Sequence, residues 1–208
     1  MKKNYTVVLI SILLIAVSFR TQAQSGYLPN GFYLFGWDVN APLNNKNFID
    51  RTSFAGGKAE GRFFVTPNIS VGGEISWSSL YQYAPKKTYE FDNGAVTTDL
   101  YKYIYLLPMN LNAHYYFKTD GQLMPYAGLG LGAMYSEQDL YFNIYNLHET
   151  NWGFLVKPEA GVLLKFGENS RSGIVFGVRY NYATNRQPDF KIDNIQTLSF
   201  QLGLALMN

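Results

Sequence analysis

Residues 154–166 read FLVKPEAGVLLKF, and alternate positions of this stretch differ in polarity. One alternating set is apolar throughout, from Phe154 to Phe166, and the set between them includes Lys157, Glu159, Gly161 and Lys165. Successive side chains of a β-strand point to opposite faces. The pattern therefore predicts a strand with one apolar face and one face that accommodates charge.

Two further segments, 52–66 and 196–207, alternate in the same way. No Asp, Glu, Lys or Arg falls on the apolar face of any of the three segments. A Lys or Arg that faces lipid at the bilayer midplane costs about 2–4 kcal/mol. This exclusion predicts that the apolar face contacts lipid. In the last segment the pattern assigns Leu202 to lipid and Gln201 to the lumen. A lysine substitution should therefore be tolerated better at position 201 than at position 202.

Eight such segments follow one another along the chain: 31–42, 52–66, 69–83, 101–118, 123–137, 151–167, 172–184 and 196–207. Short connections, rich in turn-forming residues, alternate with longer ones near 43–51, 84–100, 138–150 and 185–195. Outer-membrane barrels have short periplasmic turns and longer outer loops. The layout therefore predicts an all-β fold, an eight-stranded antiparallel up-and-down transmembrane β-barrel, with both termini on the periplasmic side.

A water-soluble barrel of the lipocalin type would also alternate, but with its apolar face inward. Aromatic residues near the segment ends favour the membrane barrel, because interfacial girdles mark the two membrane surfaces. At the outer ends these are Tyr81, Tyr83, Tyr101, Tyr103, Tyr105, Trp152, Tyr180 and Tyr182, and at the turn ends Phe63, Tyr115, Phe117 and Phe166.

Two prolines, Pro108 and Pro158, lie inside predicted strands, where each removes one ladder hydrogen bond. A bulge at Pro108 is an expected way to accommodate it, and a bulge would change which face Ile104 and Leu106 occupy. The facing of residues before 108 in that strand therefore stays open at this point.

The N-terminus has the order of features of a secretory signal peptide. Lys2 and Lys3 precede an apolar run, and small residues at Thr21 and Ala23 fit a cleavage site. We predict a signal peptide over 1–23 and an outer-membrane β-barrel domain over 24–208. Without residues 1–23 the chain keeps 14 Lys and Arg against 15 Asp and Glu, so no nucleic-acid partner is expected. The chain has no cysteine.

The central stretches LPMNLNAHYYF (107–117) and PYAGLGLGA (125–133) carry a family resemblance. They resemble the porin-like outer-membrane β-barrel family, which is abundant in Bacteroidota and related in architecture to OmpA and OmpX. The resemblance implies an eight-stranded barrel in the bacterial outer membrane. It also implies insertion by the barrel-assembly machinery.

Charged residues of both signs share the inward face of the predicted strands: Lys58, Glu60, Arg62, Glu74, Lys157, Glu159 and Arg179. One interpretation is a charged constriction that selects ions. The other is a paired network that fills the lumen, because eight strands enclose little more than their own side chains. Mixed signs favour the paired network, since a buried charge needs a partner.

The segment Gly128-Leu129-Gly130-Leu131-Gly132-Ala133 formally matches the dinucleotide-binding pattern GxGxxA. That motif requires a helix directly after its glycines. Here the strand alternation continues to Tyr135, so the glycines are predicted to make room for bulky neighbours across a narrow lumen. No cofactor is expected.

The chain has two histidines. His114 falls on the inward face beside Asn110 and Asn112, where it is expected to be a hydrogen-bonded lumen residue. His148 lies two residues before Thr150, a spacing that outer-membrane lipid A deacylases use for His and Ser. No strand context supports that match, and there is no Cys/His cluster for a metal. We therefore predict no catalytic residues and no metal site.

The leading hypothesis is a structural or surface-interaction role through the outer loops, without catalysis. The loop predicted over 84–100, which carries Lys86, Lys87, Tyr89, Phe91, Asp92 and Asp99, is the longest candidate contact surface. A narrow channel for ions or small solutes is the main alternative, and an outer-membrane lipid hydrolase is the third. Expected partners are outer-membrane lipid, the assembly machinery and an unidentified loop ligand, and the protein is expected to be a monomer.

Overall fold

The computed structural model describes residues 30–91, 94–167 and 170–208, and strands account for most of them. The eight strands of this part of the chain are β1 (Gly31–Pro42), β2 (Ala55–Thr66), β3 (Ile69–Phe91), β4 (Gly94–Tyr116), β5 (Leu123–Phe142), β6 (Tyr145–Lys165), β7 (Ser172–Ala183) and β8 (Ile195–Met207). A short 3-10 helix covers Pro188–Phe190. All eight predicted segments are confirmed, whereas the predicted signal peptide lies outside the described residues.

The strands form a closed antiparallel barrel in sequence order. β8 pairs with β1 along eleven positions, from Phe32 opposite Met207 to Pro42 opposite Thr197. Closure leaves the spanning part without a free edge, which satisfies the requirement that backbone groups in lipid bond internally. No helix in the described residues is both long and apolar enough to cross a membrane.

The apolar face of the barrel points outward. Leu202 is 43% exposed at the outer surface, whereas its neighbour Gln201 is 4% exposed and faces the lumen. Other large apolar side chains, such as Phe154, Phe176 and Phe200, are about half exposed on the same outer surface. This arrangement confirms the predicted inside and outside faces, and it contradicts the soluble alternative, whose apolar face would point inward.

Two of the four long connections are strands rather than loops. The predicted loop over 84–100 is a hairpin in which β3 continues to Phe91 and β4 starts at Gly94. The predicted loop over 138–150 is a hairpin with Asn143 and Ile144 at its tip. The pattern missed them because, beyond the membrane, neither face must be apolar, so the alternation disappears while the backbone pairing continues. β3–β6 therefore extend as a four-stranded sheet past the ends of their neighbours.

Neither Pro108 nor Pro158 shifts the strand register. The pairs Ile75–Met109 and Ser78–Leu106 lie on either side of Pro108 in one continuous register between β3 and β4. The bulge considered at Pro108 is therefore absent, and Ile104 and Leu106 face the lumen. The register shifts of β3 lie elsewhere, opposite Phe64 and Thr66 of β2 and between Ala84 and Lys87 opposite β4.

Candidate functional site

The lumen contains a pair of neighbouring carboxylates bridged by a lysine. Glu60 of β2 lies directly opposite Glu74 of β3 in the sheet register. Lys58 Nζ lies 2.7 Å from Glu60 Oε2 and donates a hydrogen bond of 2.9 Å to Glu74 Oε2. Two adjacent carboxylates repel each other in a buried site, and this ammonium group lowers that repulsion.

Arg62 connects opposite walls of the barrel. Its Nε donates to Glu60 Oε1 (2.6 Å), and its Nη2 donates to Glu159 Oε1 (2.8 Å) on β6. The guanidinium also lies over the ring of Tyr126, 4.4 Å from the centroid, and is fully buried. Since β2 and β6 are four strands apart in a ring of eight, this contact crosses the full width of the lumen.

Glu74 forms a second bridge across the lumen. Arg179 of β7 donates to it at 3.0 Å, and Lys157 of β6 donates to the same carboxylate. The Nη2 atom of Arg179 pairs with Asp38 Oδ2 of β1 at 2.5 Å, while Nη1 contacts Glu74. The carboxylate of Glu74 is thus shared by three cations, counting Lys58.

All seven predicted lumen charges belong to one connected set of ion pairs, which also includes Asp38. We call this set the charge chain: Asp38, Lys58, Glu60, Arg62, Glu74, Lys157, Glu159 and Arg179. It contains four cations and four carboxylates, so it is neutral overall. His114 adjoins it, with Nε2 2.7 Å from Glu159 Oε1. The seven predicted residues alone have one excess positive charge, which Asp38 balances through its pair with Arg179.

Apolar clusters cover the charge chain at both ends of the barrel. At the periplasmic end the floor contains Phe32, Leu34, Tyr116, Met124, Tyr126, Leu163, Val175, Ala205 and Met207. At the outer end the roof contains Ile49, Leu80, Ile104, Leu106, Met134, Leu155, Ala183, Ile192 and Ile195. Ile49 and Ile192 come from the two remaining outer connections, which therefore fold into the mouth of the barrel.

A small polar space lies between the charge chain and the roof. Asp38, Asn40, Ser78 and Arg179 are among the residues that line it. Its volume for the centre of a water molecule is about 10 Å³, which is enough for about one water. At this level of the barrel, side chains therefore fill the lumen except for a space that holds about one water molecule.

The inward glycines of β5 make room for side chains from the neighbouring strands. A Cβ atom at Gly128 would lie 2.2 Å from His114 Cδ2, and one at Gly130 would lie 2.8 Å from Asn110 Nδ2. β5 continues through these glycines without a helix. These positions confirm the packing interpretation and leave the dinucleotide pattern without its required context.

The sheet beyond the barrel carries a tyrosine patch on its outward face. The patch consists of Tyr81, Tyr83, Tyr101, Tyr103, Tyr105 and Tyr141. Ring centroids of Tyr103 lie 5.0 Å from Tyr81 and 6.0 Å from Tyr141, and Tyr83 lies 5.1 Å from Tyr101. The rings therefore line the outward face across β3, β4 and β5 in two groups, where the sequence predicted only an interfacial girdle.

His148 also lies on the outward face, on the β5–β6 hairpin. Its Nδ1 is 2.9 Å from Asp139 Oδ1 on the paired strand. Within the described residues, the side chain of Thr150 forms no hydrogen bond with His148, so the base–nucleophile contact of a hydrolase is not present there. This geometry adds no support to the hydrolase alternative.

Comparisons with known proteins agree with this architecture. A family model described as outer membrane protein beta-barrel domain matches residues 10–207. No curated protein matches the chain. Among solved structures, Neisserial surface protein A is 15% identical with a TM-score of 0.50, and the match covers 85% of this chain and 97% of that one.

Two further solved structures match the chain over a similar length with lower TM-scores. The N-terminal β-barrel domain of Pseudomonas aeruginosa OprF is 13% identical, with coverages of 86% and 100% and a TM-score of 0.45. Ail, the attachment invasion locus protein of Yersinia pestis, is 13% identical, with coverages of 85% and 95% and a TM-score of 0.47. Because the family model spans nearly the whole chain, this protein belongs to the outer membrane protein β-barrel domain family and is located in the bacterial outer membrane.

Proposed function

We propose that this protein is a non-catalytic, closed outer-membrane barrel that presents an interaction surface outside the cell. The observation that carries the proposal is the continuation of β3–β6 beyond the barrel as a sheet with the tyrosine patch on one face. Tyrosine combines a large apolar ring with a hydroxyl group at low entropy cost, which suits it to binding surfaces. The unidentified ligand is expected to contact this sheet rather than a flexible loop.

The closed lumen is the second part of the proposal. Contacts between opposite walls, such as Arg62 with Glu159 at 2.8 Å, stand where an ion would have to pass. Displacing them would leave buried charges without partners, which is strongly unfavourable. This argues against the channel alternative.

Single-channel recording in a planar bilayer tests the closed lumen. Purified wild-type protein should give no steady conductance, while an open general porin in the same bilayer serves as the positive control. Large, steady conductance from the wild type would contradict the closed lumen and support the channel.

Site-specific photocrosslinking on intact cells tests the interaction surface. A photoreactive residue at Tyr83, in the tyrosine patch, should give adducts with material outside the membrane. The matched control is Phe176, which is half exposed on the lipid face of the barrel and should give lipid adducts only. If Tyr83 also gave lipid adducts only, the proposed surface would be wrong.

A further inference from the structure

Three metal-ligating side chains meet on the outward face of the β5–β6 hairpin. Asp139 lies directly opposite His148 in the register, and Glu137 lies two residues before Asp139 on the same face. His148 Nδ1 is 2.9 Å from Asp139 Oδ1 and 3.8 Å from Glu137 Oε1. One ligand atom from each residue lies within 4.8 Å of the other two.

The cluster has an unusual electrostatic environment. The Asp139 side chain is only 7% exposed, although it points away from the barrel, and the Glu137 side chain is 31% exposed. Across the described ranges, no Lys or Arg nitrogen lies within 4.0 Å of either carboxylate. Two carboxylates that are close together and partly withdrawn from water favour a cation. Among the described residues, His148 is the basic side chain with a nitrogen within 4.0 Å of both carboxylates.

The position of the cluster keeps it accessible. It lies one step beyond Tyr135 and Trp152, whose rings pack 5.3 Å apart in the outer aromatic girdle. The His148 side chain is 49% exposed, so a cation can reach the cluster from outside without entering the lumen. The site is therefore independent of whether the barrel conducts.

We propose that Glu137, Asp139 and His148 bind a first-row divalent cation of the zinc class. An imidazole nitrogen with two carboxylate oxygens suits Zn²⁺, whereas Ca²⁺ and Mg²⁺ prefer oxygen ligands alone. Bonds of about 2.1 Å in a tetrahedral site place ligand atoms roughly 3.4 Å apart. The observed separations of 2.9 and 3.8 Å bracket that distance, and the fourth position is left to solvent.

The sequence alone did not predict this site, because it has no Cys/His cluster and its three ligands come from two strands. The feature that could have revealed it is the two-residue turn of this hairpin, because the turn fixes which residues pair. With Asn143 and Ile144 alone between Phe142 and Tyr145, the register places residue 139 opposite 148.

Metal titration of the full-length mature protein, purified without a polyhistidine tag and folded in detergent, tests the proposal. Isothermal titration with Zn²⁺ should give one site per chain, and Co²⁺ should give the visible absorption of a tetrahedral complex. Each of Glu137→Gln, Asp139→Asn and His148→Gln should weaken Zn²⁺ binding at least tenfold. Glu149→Gln is the matched control, because this neighbouring carboxylate lies on the opposite face of β6, and it should bind as the wild type does.

Heat-dependent gel mobility checks that each variant is folded, and three independent variants protect the test against the failure of one. Absence of Zn²⁺ and Co²⁺ binding by the folded wild type would overturn the proposal. Binding that all three folded variants retain would also overturn it, since the metal would then be held elsewhere.

Discussion

Glu74→Gln is expected to lower the free energy of unfolding by about 3–5 kcal/mol, the range for removing one partner from a buried ion pair. Glu74 accepts hydrogen bonds from Lys58 at 2.9 Å, from Arg179 at 3.0 Å and from Lys157. The replacement keeps the shape of the side chain but leaves four buried cations facing three carboxylates. Adding Lys157→Met restores three against three, so the double variant should recover at least half of the lost stability.

Urea unfolding in lipid vesicles, followed by tryptophan fluorescence, measures these changes. The control is Asp193→Asn, the same chemical change in the exposed pair of Asp193 with Arg186, whose side chains are 85% and 73% exposed. Surface pairs contribute little, so this change should be below about 1 kcal/mol. The reasoning is refuted if Glu74→Gln changes stability no more than Asp193→Asn, or if Lys157→Met adds a further loss.

Three other predictions follow from the barrel. Unheated protein in detergent should migrate differently from boiled protein on a gel, because a closed barrel has no edge from which to unravel, and identical mobility would contradict closure. Leu202→Lys should reduce stability by about 2–4 kcal/mol, whereas Leu206→Lys, at the periplasmic rim, should cost about 0–1 kcal/mol; equal unfolding free energies would show that depth in the membrane is misassigned. Gly128→Ala should cost about 1–3 kcal/mol through overpacking against His114, 2.2 Å from the new Cβ, while Gly73→Ala, with nothing closer than 3.8 Å, should be nearly neutral. Unfolding titrations that rank these two alanines in the reverse order would contradict the packing.

The lipid-facing pattern could be predicted from sequence because the bilayer penalises every misplaced charge, so each strand carries the same signal. The lumen partners could not, because pairing depends on depth and register together. Gln201 illustrates the difference. Lysine was expected to be tolerated better there than at Leu202, because the interior was taken to be wet, but Gln201 is 4% exposed and its Oε1 accepts a 2.7 Å hydrogen bond from Lys58. A lysine would place its ammonium group beside that of Lys58, so the wet interior on which that expectation rests is not what the structure shows.

The outer hairpins show where the sequence signal ends. Outside the membrane, neither face of a strand must be apolar, so the stretches over 84–100 and 138–150 resembled loops. Asp38 was missed for a different reason: Phe32 and Leu34 share its inward face, so polarity does not alternate along the first half of β1.

The charge chain also constrains the order in which the barrel assembles. Its ion pairs join residues far apart in sequence: Arg62 and Glu159 are separated by 97 positions, and Glu74 and Arg179 by 105. Lys58 and Gln201, on the strands flanking β1, are 143 positions apart. An open sheet of fewer strands would leave these ionic groups hydrated. These groups can replace their hydrating water with ion-pair partners only when β1 pairs with β8 and this seam closes the barrel. Formation of the seam and drying of the interior should therefore be one late, cooperative event, and contacts of such long range make that event slow.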